Sequence, residues 1–309
     1  MISPDPRLRA YAALLVPAFV GHTIQLLGED LPWQPHAWSR YWTQPGWHLF
    51  VPWWAVVAIA VGLAVAVVGI AIRRTRPWLV ALVPLYVAHY LTYPFRIRNH
   101  MSHMFFGMVM LGGVWLAGRR RNPEEVDRAA VRGLALVLCI TYFFAGFHKI
   151  NDAFLSIGPD SSAASAITDF VRYAGLGSEA PAWAKWCAAY GAVGIECVVP
   201  IVAWRSTRLR VPALLTLMLF HFPMVSAMNV ADYPMIVAAS YPCLFSRTDF
   251  ERLLQHLGPS RWTLTGAAVG VLMQLWAMPW WGALTIFGLF VMGLFGWSAG
   301  AMIDARRAR

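Results

Sequence analysis

Charge is scarce in this sequence. Asp, Glu, Lys and Arg make up 13% of its 309 residues, against about 25% in an ordinary soluble domain. Apolar side chains make up 59% and mean hydropathy is +0.54. A water-soluble fold has no place for that much apolar surface, so the chain is read as one that faces lipid. Lysine is scarcer still: Lys149 and Lys185 are the only two, and arginine does nearly all the cationic anchoring. The four cysteines, Cys139, Cys187, Cys197 and Cys243, each fall inside an apolar run, which leaves no extracellular disulfide framework. No two histidines are adjacent, so the histidine boxes of membrane di-iron oxygenases are missing and no metal is expected. No internal repeat is seen, whereas many transporters are built from repeated halves. The arginines come in short clusters between apolar stretches rather than on one polar domain. The net charge of +10 therefore marks no nucleic-acid surface.

What is present is hydrophobic length. Ten apolar runs read as helices, near 10–27, 51–72, 78–93, 100–117, 132–148, 183–204, 211–229, 231–245, 263–278 and 280–299. Several fall short of the ~20 residues that cross a bilayer alone, and Pro84, Pro234 and Pro242 predict kinks. Arg7 and Arg9 before the first run imitate a signal peptide. His22, Thr23 and Gln25 within it, and the lack of a small-residue cleavage site, mark a retained helix. The expected fold class is all-α: a polytopic membrane helical bundle of about ten transmembrane helices. It forms one integral domain over 1–309, with a C-terminal helix pair at 263–299. With both termini cytoplasmic, 19 of the 25 Lys and Arg residues fall inside and six outside. That is the bias expected of a multi-pass bacterial inner-membrane protein, and an odd helix count would scramble it.

Two outside loops are long. Residues 28–50 carry Trp33, Trp38, Trp42 and Trp47 and are expected in the membrane interface. Residues 149–182 are expected to fold partly on themselves or to serve function. Gly266, Gly270, Gly296 and Gly300 form two GxxxG pairs, which permit close approach either between the last two helices or across a dimer seam. Packing between the helices is the simpler expectation.

Of nine histidines, only His256 falls on the cytoplasmic side in this topology. Polar groups inside a bilayer are costly and usually face a bundle interior. Asn99, His100 and His103 open one helix, and the i, i+3 spacing puts both histidines on one face. They line a pocket, or they are interfacial groups satisfied by loop carbonyls. Lys149 closes the run from Tyr142 through His148, and Tyr142, Gly146 and Lys149 share a helix face. An interfacial lysine often snorkels to water. A lysine retained among so many arginines also suits an amine that must titrate, because Arg does not release its proton. His221 lies deep in Phe220-His221-Phe222-Pro223, and Glu196 lies in another apolar run. The two read as a buried structural network or as a proton relay. Asn229 and Asp232 read as caps.

Three stretches resemble the membrane domain of vitamin K-dependent γ-glutamyl carboxylase and its bacterial relatives, the HTTM proteins. The first runs from Arg98-Asn99-His100 to Gly107. The second runs from Val131-Arg132-Gly133 to Tyr142-Phe-Phe-Ala-Gly146-Phe-His148-Lys149. The third is Phe220-His221 followed by Ala238-Ala239-Ser240-Tyr-Pro242-Cys-Leu-Phe245. Together they cover about residues 50–250. In the carboxylase a lysine deprotonates vitamin K hydroquinone. The anion reacts with O2, giving an epoxide and a strong base that removes a glutamyl γ-proton before CO2 adds. The resemblance implies that Lys149 is that lysine and that His100 acts with it. It also implies that Asn99 and His100 hold the quinol oxygens, with His221, His103, His148 and Tyr142 beside them. The implied cofactors are a reduced quinone of the vitamin K or menaquinone type, O2 and CO2, and the site faces the periplasm. His148 stands where the animal enzyme has a second lysine. The sequence ends at Arg309, whereas the carboxylase continues into a soluble domain, so the expected substrate is a peptide or small molecule at the outer leaflet rather than a propeptide-bearing protein. Two alternatives stay open: a non-catalytic lipid- or quinone-binding protein working with a partner, and a transporter.

Overall fold

The computed structural model describes residues 5–30, 40–44, 47–73, 76–91, 99–158, 161–226, 232–277 and 283–308. All ten expected helical runs are helical in it: α1 (Pro6–Asp30), α2 (Trp53–Arg73), α3 (Arg76–Leu91), α4 (Asn99–Ala117), α5 (Pro123–His148), α8 (Ala182–Arg205), α9 (Arg210–Ser226), α10 (Asp232–Ala238), α12 (Arg261–Ala277) and α13 (Ala283–Arg307). Between them lie α6 (Asp152–Leu155), α7 (Ser162–Tyr173) and α11 (Arg247–Gln255). Among the described residues, three helical segments, Pro123–His148, Ala182–Arg205 and Ile286–Arg307, are long and apolar enough to cross a membrane, and five shorter apolar helices accompany them.

Two of the expected runs differ from the structure in an instructive way. The fifth helix starts at Pro123 instead of 132, because Glu124 and Glu125 occupy its first turn, where carboxylates complement the exposed N–H groups. The eighth run is not one helix. It ends at Ala238 and resumes as a 3₁₀ turn, Tyr241–Leu244. Pro242 has no N–H for the Ala238 carbonyl, and its ring would collide with that group. The fold is helical as expected, with one short hairpin added. Within the Trp-rich loop, β1 (Arg40–Gln44) pairs antiparallel with β2 (Trp47–Val51), with Trp42 opposite Leu49 and Gln44 opposite Trp47. Trp33, Trp38, His36 and Asn229 lie outside the described residues.

The chain divides into two compact units, 1–138 with 235–243 and 139–234 with 244–309. In the first unit α1, α2, α3 and α4 pack in sequence order. Phe19 of α1 meets Tyr86 of α3 edge-on at 5.7 Å, and Leu82, Tyr86, Met108, Leu111 and Leu134 are fully buried. In the second unit α8 packs on α9, and α7 folds back against both. Ser161 caps α7 by accepting from the Ala164 N–H. Gly175, at φ +69°, closes it, with Gly175 and Leu176 donating to the Arg172 and Val171 carbonyls. This is the left-handed helix stop that glycine permits. Phe170 of α7 meets Phe222 at 5.6 Å and Trp276 at 6.4 Å. The long second loop therefore does fold on itself.

The tightest contact is between α12 and α13. A Cβ at Gly266 would collide with the Gly296 carbonyl, one at Gly270 with the Met292 carbonyl, and one at Gly300 with the Trp262 carbonyl. The two glycine pairs thus serve backbone-to-backbone packing within one hairpin.

Candidate functional site

Helix α5 delivers the chemistry of the second unit. Tyr142, Ala145 and Gly146 are buried, while Phe143, Phe144, Phe147 and His148 are exposed. The buried side faces α8 and α9. At Gly146 the fit is close: a Cβ there would lie 2.7 Å from Cys197 Sγ and 3.1 Å from Glu196 Cβ. Only glycine lets α8 approach this far. Three residues on, the Lys149 ammonium reaches across and forms an ion pair with Glu196. It also donates to the Ala145 carbonyl at 3.4 Å and lies 5.7 Å from the Phe154 ring centroid. The Glu196 side chain is 1% exposed and that of Lys149 is 21% exposed. The carboxylate is thus sealed in, and the amine is reachable from one side.

The backbone under Glu196 is also special. Pro200 lies four residues later in α8 and has no N–H to bond the Glu196 carbonyl. The helix therefore lacks one rung at the residue that carries the buried charge.

Above this pair sits a second contact between the same helix and α9. The Tyr142 hydroxyl lies 2.5 Å from His221 Nε2, and both side chains are buried. Cys197 donates to the Phe143 carbonyl at 3.7 Å. One face of α5 therefore presents, in order, a phenol held by an imidazole, a glycine gap, and an amine held by a carboxylate. The sequence reading considered Glu196 only as a partner for His221. The structure gives each of them a residue of α5 instead. The available signal was that Glu196 is the one carboxylate in the middle of an apolar run, which calls for a cation on a neighbouring helix.

His148 is exposed, with its ring 6.4 Å from those of Phe144 and Phe147. Its carbonyl accepts from Asn151, whose own side chain caps α6 by accepting from the Phe154 N–H. Asn99 and His100 begin α4, but their side chains lie outside the described residues. His103 belongs to the first unit, where it is buried with Nε2 at 3.0 Å from Ser240 Oγ. His89 in the same unit is buried with its ring 5.8 Å from that of Tyr86.

The chain matches no family model, no curated protein and no solved structure. The site's meaning therefore comes from its own chemistry. Two contacts join stretches singled out in the sequence, His103 with Ser240 and Tyr142 with His221, whereas Glu196, the partner of Lys149, lies outside all three. Among the described residues no group of three or more His, Cys, Asp or Glu side chains is placed to hold a metal ion. Beside the Lys149 amine stand one carboxylate, Glu196, and the ring of Phe154.

Proposed function

We propose that this protein is a quinol-dependent membrane oxygenase of the vitamin K carboxylase and HTTM kind, with Lys149 as general base. Ten crossings of a bacterial inner membrane, with both termini cytoplasmic, place Lys149 at the periplasmic side. The observation that carries the proposal is the Lys149–Glu196 pair. Burial penalises separated charges, and a proton passed from the amine to the carboxylate leaves both groups neutral. The neutral amine then accepts the proton of a hydroxyl placed beside it, as a general base must. Tyr142 and His221, held together at the same face of α5, fix the wall of the site. A bound reduced quinone supplies the reducing equivalents for O2, with CO2 as co-reactant if the chemistry ends in carboxylation. The acceptor is a peptide or small molecule at the outer leaflet.

O2 uptake by the protein in proteoliposomes, with reduced menaquinone as donor, tests this. Lys149→Met is expected to abolish uptake while the protein stays folded. Lys149→Arg is expected to be equally inactive, since a guanidinium keeps its proton. Uptake that persists in Lys149→Met would overturn the proposal. The ion pair also supports a second function, non-catalytic quinone or lipid binding, because a lysine that keeps its proton only anchors a ligand. In that case menaquinone co-purifies with the wild type and no oxygenated product forms.

A further inference from the structure

The second unit holds another polar feature, unconnected with Lys149. A cavity of about 360 Å³ opens among the turn after α8, the start of α9, helix α11 and the end of α13. Four arginines line it, Arg208, Arg210, Arg252 and Arg306, against a single carboxylate, Asp249. Arg210 is the fixed member. It is buried, pairs with Asp249 at 2.9 Å, donates to the Ala203 carbonyl at 3.0 Å and lies 5.6 Å from the Phe245 ring centroid. These contacts tie together the end of α8, the start of α9 and the start of α11. Arg252 is exposed, with its guanidinium 3.8 Å from the same Asp249. Arg208 and Arg306 are also exposed, and among the described residues no carboxylate pairs with either.

Asp249 is thus already shared between two guanidiniums, and two more stand around the same cavity. The lining carries a formal surplus of three positive charges in one small concave space. Four like charges repel one another, and folding alone offers no return for gathering them. An anion with several acceptor oxygens would offset that repulsion, and guanidinium forks match phosphate geometry. Apart from Thr207 the remaining lining is apolar, including Val211, Leu253 and Met302, so the cavity offers an oily wall beside its cationic rim. Basic clusters at the cytoplasmic membrane surface attract anionic headgroups in this way.

We infer that this arginine-lined cavity is a binding site for a phosphate group, carried by an anionic membrane lipid or by a soluble phosphate compound. Arg210 and Asp249 form its rigid base, and Arg208, Arg252 and Arg306 grip the anion. The site is separate from the quinol chemistry proposed above and stands whether or not that chemistry occurs.

The test uses the full-length protein in neutral detergent, titrated with phosphatidylglycerol or phosphatidylcholine and followed by native mass spectrometry. In parallel, inorganic phosphate and glycerol phosphate are followed by thermal shift. The variant Arg208→Gln/Arg306→Gln removes the two arginines that hold no ion pair, so the Arg210–Asp249 base and the fold are kept. Arg119→Gln/Arg120→Gln, outside the lining, is the control. Phosphatidylglycerol is expected to bind at least tenfold tighter than phosphatidylcholine. The first variant is expected to lose that preference, and the control to keep it. A response to the soluble phosphates that the first variant abolishes, without lipid preference, identifies a soluble ligand at the same site. The inference is overturned if neither probe binds better than phosphatidylcholine. It is also overturned if the control loses as much binding as the Arg208/Arg306 variant.

Discussion

Lys149 is held by Glu196, a carboxylate that is 1% exposed, across a gap kept open by Gly146. The lysine stands at the end of its helix and the glutamate in the middle of its own. A buried carboxylate left without its cation is strongly destabilising, whereas removing both partners costs far less. Glu196→Gln and Lys149→Met are each expected to lower stability, by about 1–3 kcal/mol after allowance for the partly exposed amine. The double variant should be more stable than the sum of the two losses implies. Thermal melts of the four proteins in one detergent complete the cycle, and strict additivity would show that the pair contributes nothing.

Gly146 is expected to tolerate no side chain. Gly146→Ala places a methyl against Cys197 Sγ, Glu196 Cβ and the Cys197 amide, and such overpacking costs about 1–3 kcal/mol. Adding Cys197→Ala relieves only the contact with sulfur. Partial recovery of the melting temperature is therefore the expected result, and full recovery would mean that the backbone gives way.

In the hairpin of α12 and α13 the obstacle is main chain alone. Gly266→Leu or Gly296→Leu must push the helices apart and is expected to cost about 2–3 kcal/mol or more. Ala268→Leu, at an exposed position of the same helix, is the comparison. Limited proteolysis of the segment between the two helices reads the separation directly.

In the first turn of α8, Lys185 donates at 2.5 Å to Glu179, which precedes the helix. This hydrogen bond, and then the lysine's charge, hold the Glu179 carboxyl below its ordinary range. A depressed folded-state carboxyl contributes stability above its unfolded pKa and loses it as pH falls through the folded value. Lys185→Gln is expected to move the Glu179 titration back up, as followed by NMR of the glutamate side chain. At neutral pH the melting temperature should stay nearly unchanged, because the carboxylate is exposed.

Much of this architecture was legible in the residues. Hydropathy located a helix within each of the ten runs, because a backbone among apolar side chains demands internal hydrogen bonding. The glycine pairs of α12 and α13 announced a close contact, and packing between the two helices was the simpler of the two expectations. Other features depend on which helices become neighbours, and period and propensity do not encode that. Glu196 gave the clearest hint, a charge with no partner on its own helix, yet nothing in α8 says that the cation comes from the end of α5. Pro242 was read as a kink but breaks the helix, since its effect falls on the carbonyl of Ala238. The arginine-lined cavity was invisible for the same reason. Its four cations are spread over almost 100 positions and meet only through tertiary folding.

The backbone contact of α12 with α13 bears on how the chain is made. Two glycine-faced helices joined by a short connection bury each other's bare main chain and need no other surface to do so. During synthesis α12 therefore waits for α13: until residues 283–307 have followed, its glycine face is an unfilled groove open to whatever helix drifts past.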